Sequence, residues 1–135
     1  MTASHQIDCA QGVVLVRLWG VVNDAELDDV RRRIRADPDF DPTLRYIVDM
    51  RAVTVMAYSC SRVRHVAMTQ IFRGGQRRAI VAATDEQYGI ARMFATFAAL
   101  EGEVAEVFRE WRPAVEWLGL TGALAADPGV GVAAR

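Results

Sequence analysis

A chain of 135 residues fits one domain, large enough to bury a core without a disulfide or a structural metal. Its apolar share of 52% is high, yet no unbroken apolar run approaches the ~18 residues of a membrane span, and a net charge of −1 speaks against general affinity for nucleic acid. All sixteen basic residues are arginine, which excludes Schiff-base and lysine-nucleophile chemistry.

The opening residues, Met1–Asp8, lack a basic end followed by an apolar stretch. No signal peptide is therefore expected, and a cytoplasmic location follows by default. His5–Cys9 and Val13–Trp19 read as strands of a hairpin around an Ala10–Gly12 turn. Asn23–Ala36 reads as a helix capped by Asn23, with Glu26 at the capping-box position. Its acids lie early and its arginines late, complementing the helix dipole, and Asp28–Arg32 and Asp29–Arg33 have ion-pair spacing. The Asp37–Pro42 stretch ends it.

Leu44–Met50 has the continuous apolar character of a buried parallel strand. Arg51–Ala57 is expected as a loop, followed by a helix from about Tyr58 to Arg73. Val63, Val66, Ala67 and Ile71 form the inner face of that helix; Arg62, His65, Thr69 and Arg73 form an outer stripe. Arg78–Ala83 is another buried strand. Thr84 and Gln87 form a capping box for a helix with Ile90, Met93, Phe94, Phe97 and Leu100 on a broad apolar face. Val104–Phe108 suits an edge strand, and Trp111–Leu118 a short helix with Pro113 in its first turn and Gly119 at its end. Strands alternating with helices imply an α/β domain with a mostly parallel sheet of about five strands and about four helices. It spans 1–119, and 120–135, rich in Gly and Ala, is expected to be a flexible tail.

At Leu44–Ala67 a pattern emerges: a buried strand ending in Asp (Tyr46-Ile-Val-Asp49), a loop with Val53, Val55 and Met56, then a helix opening on serines. This resembles the STAS domain of bacterial anti-sigma-factor antagonists, the SpoIIAA-like fold. Val13-Val-Leu-Val-Arg-Leu-Trp-Gly20 and Tyr88-Gly-Ile-Ala-Arg-Met-Phe94 resemble its broad, mostly uncharacterised STAS/SEC14-like branch. The resemblance covers roughly residues 5–119. It implies a single SpoIIAA-like domain and a non-enzymatic, regulatory, protein-binding role. In the antagonists the loop reads Asp-Ser-Ser-Gly, and phosphorylation of a serine there breaks partner binding. Ala57, Tyr58, Ser59 and Cys60 stand at those positions, so only Ser59 is retained. A phosphate on Ser59 or Ser61 would sit at a helix N-terminus, where free amides and the dipole favour it. Ser59 reads equally as a plain helix cap.

Charge is unevenly spread. Met50–Thr84 holds six arginines and no acid, whereas the flanking segments are acidic. A basic stripe suits a protein partner with an acidic surface or an anionic ligand; it also suits a solvated helix face balanced by acids from neighbouring elements. Candidate binding residues are therefore Tyr58, Ser59, Ser61, Arg62, His65 and Arg73, with Ser59 the candidate phosphorylation site and Asp49 assigned to ordering the following loop. Arg73–Arg78 lacks the phosphate-loop pattern and reads as a helix stop before a strand. His5 and His65 have no convergent carboxylates, no nucleophile–base constellation is visible, and neither a metal nor a cofactor is implied. Cys9 and Cys60 match no metal or redox spacing and are expected to be buried. Met56, Tyr58, Met68, Phe72, Met93, Phe94 and Phe97 would either fill the core or line a pocket for a lipid-like or other small molecule. Stable membrane insertion is not expected; a homodimer through an edge strand or apolar helix face is compatible with the pattern.

Overall fold

The computed structural model describes residues 2–57, 59–69 and 76–128. Its elements are β1 (Ala3–Asp8), β2 (Val13–Asn23), α1 (Asp24–Ala36), β3 (Arg45–Ala57), α2 (Cys60–Met68), β4 (Arg77–Val81), α3 (Asp85–Leu100), β5 (Val104–Phe108) and α4 (Trp111–Leu118), with a short 3₁₀ turn at Gly122–Ala125. The strands form one sheet in the order β1-β2-β3-β4-β5. β1 and β2 are the antiparallel hairpin, and the other pairings are parallel. The five strands, the four α-helices and the edge position of β5 agree with the sequence.

Alternation along the strands divides the core. Val14, Val16, Leu18, Tyr46, Met50 and Ile80 face α1 and α3. Val13, Ile47, Ala79 and Val81 face α4, whose Trp111, Ala114, Val115 and Leu118 close that side. Ile47 on β3 and Val81 on β4, both at zero exposure, lie at the centre of the second layer; burying such a side chain contributes about 1.5–3 kcal/mol.

Several local expectations are corrected. Arg51–Ala57 is not a loop: β3 continues through it, paired with Trp19–Asn23 of β2 as far as Asn23↔Ala57. Pairing with β4 stops at Asp49↔Val81, so β2 and β3 run on together as a two-stranded arm. Asn23 caps α1 by accepting from the Glu26 amide at 3.0 Å, but the Glu26 carboxylate accepts from the Thr2 amide instead of closing a capping box. Asp29 pairs with Arg33 at 2.8 Å and also takes Arg32, while Asp28 turns to Arg62 of α2. Leu100, the last residue of α3, is 77% exposed rather than part of the buried face. Both cysteines are exposed, because Cys9 lies in the hairpin turn and Cys60 on the outward side of the first turn of α2.

The segment after Gly119 is also more than a tail as far as Pro128. Leu120 is buried with α4, Thr121 exchanges two hydrogen bonds of 2.9 Å with the Gln11 side chain, and Asp127 pairs with Arg51. Residues 129–135 lie outside the described residues.

Candidate functional site

The arm ends at Ala57, and α2 begins three residues later. Ser59 caps α2 in extended conformation, its Oγ accepting from the Arg62 amide at 3.3 Å and lying 2.9 Å from Ser61 Oγ. Ser59, Cys60, Ser61 and His65 are all exposed. Tyr58 and Arg73 lie outside the described residues, as does the Gln70–Gly75 end of the expected helix, Ile71 and Phe72 included.

Arg62 is not part of an outward stripe. Its side chain is 20% exposed and turned toward α1, where it pairs with Asp28 and lies 3.8 Å from Asp24. The rest of the basic segment is largely answered in the same way. Arg51 is held between Asp49 and Asp127 and lies over Trp111. Arg78 is fully buried beside Glu103 at 2.9 Å and over the Tyr46 ring. Arg77 donates to the Trp117 carbonyl and covers its indole. Arg64 is the exposed arginine of α2, its guanidinium 5.8 Å from the Phe97 ring centre.

Asp49 is buried and receives the Arg51 amide at 3.1 Å and the Arg51 guanidinium at 2.9 and 3.0 Å. Those bonds stand at the root of the arm, so Asp49 fastens a strand rather than a loop. Hydrogen bonding to both aspartates, Asp127 foremost, holds the Arg51 pKa above its ordinary value.

One feature escaped the sequence reading, and a second, a pocket, was expected with largely different walls. The first is an exposed apolar pair: Val21 and Val55 are cross-strand partners in the arm, 53% and 48% exposed. Bulges in the β2–β3 register turn them to the face opposite α1, past the reach of α4. Their residue type is that of any buried strand, so no sequence signal marks them. The second is a cavity of about 140 Å³ between α1 and α2, floored by β2, β3 and β4 and flanked by α3. Of the seven residues expected to line a pocket, only Phe94 is among its described walls. Met56 packs on the core instead, and Met68 is 45% exposed.

Among the described residues no three His, Cys, Asp or Glu side chains are grouped to hold a metal ion, and no helix is long and apolar enough to cross a membrane.

Two solved structures share this arrangement. An uncharacterised protein of the DUF3478 family with a SpoIIAA-like fold, from Shewanella loihica PV-4, matches with a TM-score of 0.61 at 14% identity, over 87% of this chain and 94% of that one. An anti-sigma factor antagonist from Mycobacterium paratuberculosis matches with a TM-score of 0.55 at 13% identity, over 88% of this chain and 96% of that one. No family model and no curated protein matches the sequence. The chain therefore has the SpoIIAA-like fold.

Proposed function

We propose that this domain is a non-enzymatic regulatory module that binds a protein partner through the end of the β2–β3 arm and the start of α2. The carrying observation is the exposed Val21/Val55 pair close to the end of the arm, together with the exposed helix start at Ser59–Ser61 that follows Ala57 in the chain. An exposed cross-strand apolar pair suits the centre of a small interface. The fold, shared with an anti-sigma factor antagonist, supports a regulatory role.

In this reading Tyr58, Ser59, Ser61, His65 and Arg73 belong to the recognition surface, with Arg64 added. Arg62 acts indirectly, by fastening α2 to α1 through Asp24 and Asp28. Ser59 is the phosphorylation site: a phosphate there would add about two negative charges at the α2 N-terminus and change what the surface accepts.

Affinity capture from the source organism tests the reading, using wild type and Val21→Glu/Val55→Glu, both first checked by thermal melting. Wild type is expected to retain a defined partner, and the folded double variant to lose it by roughly tenfold or more, as for core interface positions. Equal retention by the variant would remove the arm from the surface. A wild type that retains no partner would remove the binding-module reading itself.

A further inference from the structure

α1 packs on β1 and β2, whereas α2 packs on α3. The two helices face each other across the cavity and are tied at two places. Arg62 reaches from α2 to Asp24 and Asp28 near the start of α1. Arg31, further along α1, donates to the carbonyl of Thr69 and, at 3.3 Å, to its hydroxyl. Between these ties the walls are Leu27, Val30 and Ile34 from one helix and Val63 and Val66 from the other, with Phe94 of α3 behind.

Two properties of this space point to a ligand. Its size is the first. A void of about 150 Å³ lined by aliphatic and phenyl side chains accommodates one benzene molecule, and this cleft, open on one side, offers about 140 Å³ between similar walls. The second is Arg31. It lines the cavity and is half-buried, and its hydrogen bonds among the described residues go only to the neutral oxygens of Thr69. Among the described residues, the ion pairs that answer Arg51, Arg62 and Arg78 have no counterpart at Arg31. Burial, and then the like charge of Arg35, press its pKa below the ordinary value, so its charge is incompletely compensated.

We infer that the α1–α2 cleft binds a small monocarboxylic acid, its apolar body of about six to eight carbons in the cavity and its carboxylate on Arg31. The cleft volume matches such a short body, and the chain-length series below separates it from a lipid tail. The site lies beneath α2 and does not depend on the partner-binding reading.

The test uses the full chain, labelled with nitrogen-15, titrated with hexanoate, hexan-1-ol and dodecanoate. Hexanoate should shift the amide signals of Leu27–Ile34 and Val63–Val66 and bind roughly tenfold more tightly than hexanol, the worth of one charge-assisted hydrogen-bonded contact. Arg31→Met should bring hexanoate down to the hexanol level and leave hexanol unchanged. Dodecanoate should gain nothing over hexanoate. The inference is overturned if neither six-carbon probe shifts those amides at millimolar concentration. Equal affinity of wild type for acid and alcohol overturns it as well. So does steady tightening with chain length, which would make the occupant a lipid tail.

Discussion

Gln87 does at the residue scale what a strand would otherwise do. Past Asp49 the β4-facing edge of β3 has no strand beside it, and its carbonyls need donors. The Gln87 side chain, 3% exposed, supplies them: Nε2 donates to Val53 at 2.8 Å and to Arg51 at 3.3 Å. Its Oε1 accepts from the Ala83 and Thr84 amides at 2.8 and 3.2 Å. The sequence marked Gln87 as a capping-box residue, and it is one. Its second task was illegible because Val53 lies 34 residues away. Gln87→Ala should cost about 1–3 kcal/mol in urea unfolding, the penalty for unmet buried groups. A loss under ~0.5 kcal/mol would mean that the cap alone matters.

Elements are joined by a few long-range pairs, and these decided what spacing alone could not. Asp28 has correct spacing for Arg32 but is taken by Arg62, so a predicted intrahelical pair became a tie between helices. Arg51–Ala57 lacked the unbroken apolar character of the strand before it, and its partner Trp19–Asn23 is remote in sequence. The bulge beside β2 also breaks its alternation, burying Val53 and exposing Val55. Arg51 also clamps the segment after α4, its Nη1 lying 2.9 Å from Asp127. Asp127→Asn, which keeps the Asp49–Arg51 pair, should therefore loosen residues 121–127 and leave the sheet intact. Hydrogen exchange of the Ala126 amide, which bonds to Ala123, should quicken by roughly five- to tenfold, the equivalent of about 1 kcal/mol. Unchanged exchange would show that Leu120 and Thr121 hold the segment unaided.

For the whole molecule, stability should have an acid and an alkaline limb. Asp37 is held below the usual carboxylate range by the Asp39 amide and by His5, and Asp41 by the amide and hydroxyl of Thr43. Their contribution is in place above the unfolded value near ~3.9 and is lost as pH falls through the lower folded value. Tyr46 behaves oppositely. Burial pushes its phenol up to about 12, Glu103 adding to the rise and Arg78 and Arg31 opposing it. A neutral phenol is thus favoured by folding, and that contribution is complete below about pH 10 and lost between about 10 and about 12. It amounts to roughly 2–3 kcal/mol. Melting temperature against pH should fall along this limb in wild type and more shallowly in Tyr46→Phe. Identical alkaline slopes would place the loss at another group.

Alternation, caps and stop signals are local, and by themselves they determined the order of elements, the mostly parallel α/β class and many of the boundaries. Asn23, Ser59 and Thr84 cap the helices they were expected to cap. The serine-opening helix after a strand ending in Asp49 also made the SpoIIAA-like fold legible. Only the tertiary structure decided where charge is answered. Six arginines without an acid between Met50 and Thr84 read as a basic stripe, yet acids from both flanking segments meet Arg51, Arg62 and Arg78 in space. It likewise exposed Val21 and Val55 and opened the cavity beside Arg31. A side chain's period follows from its own neighbours in the chain; its partner, its burial and the space beside it are set by residues remote in sequence.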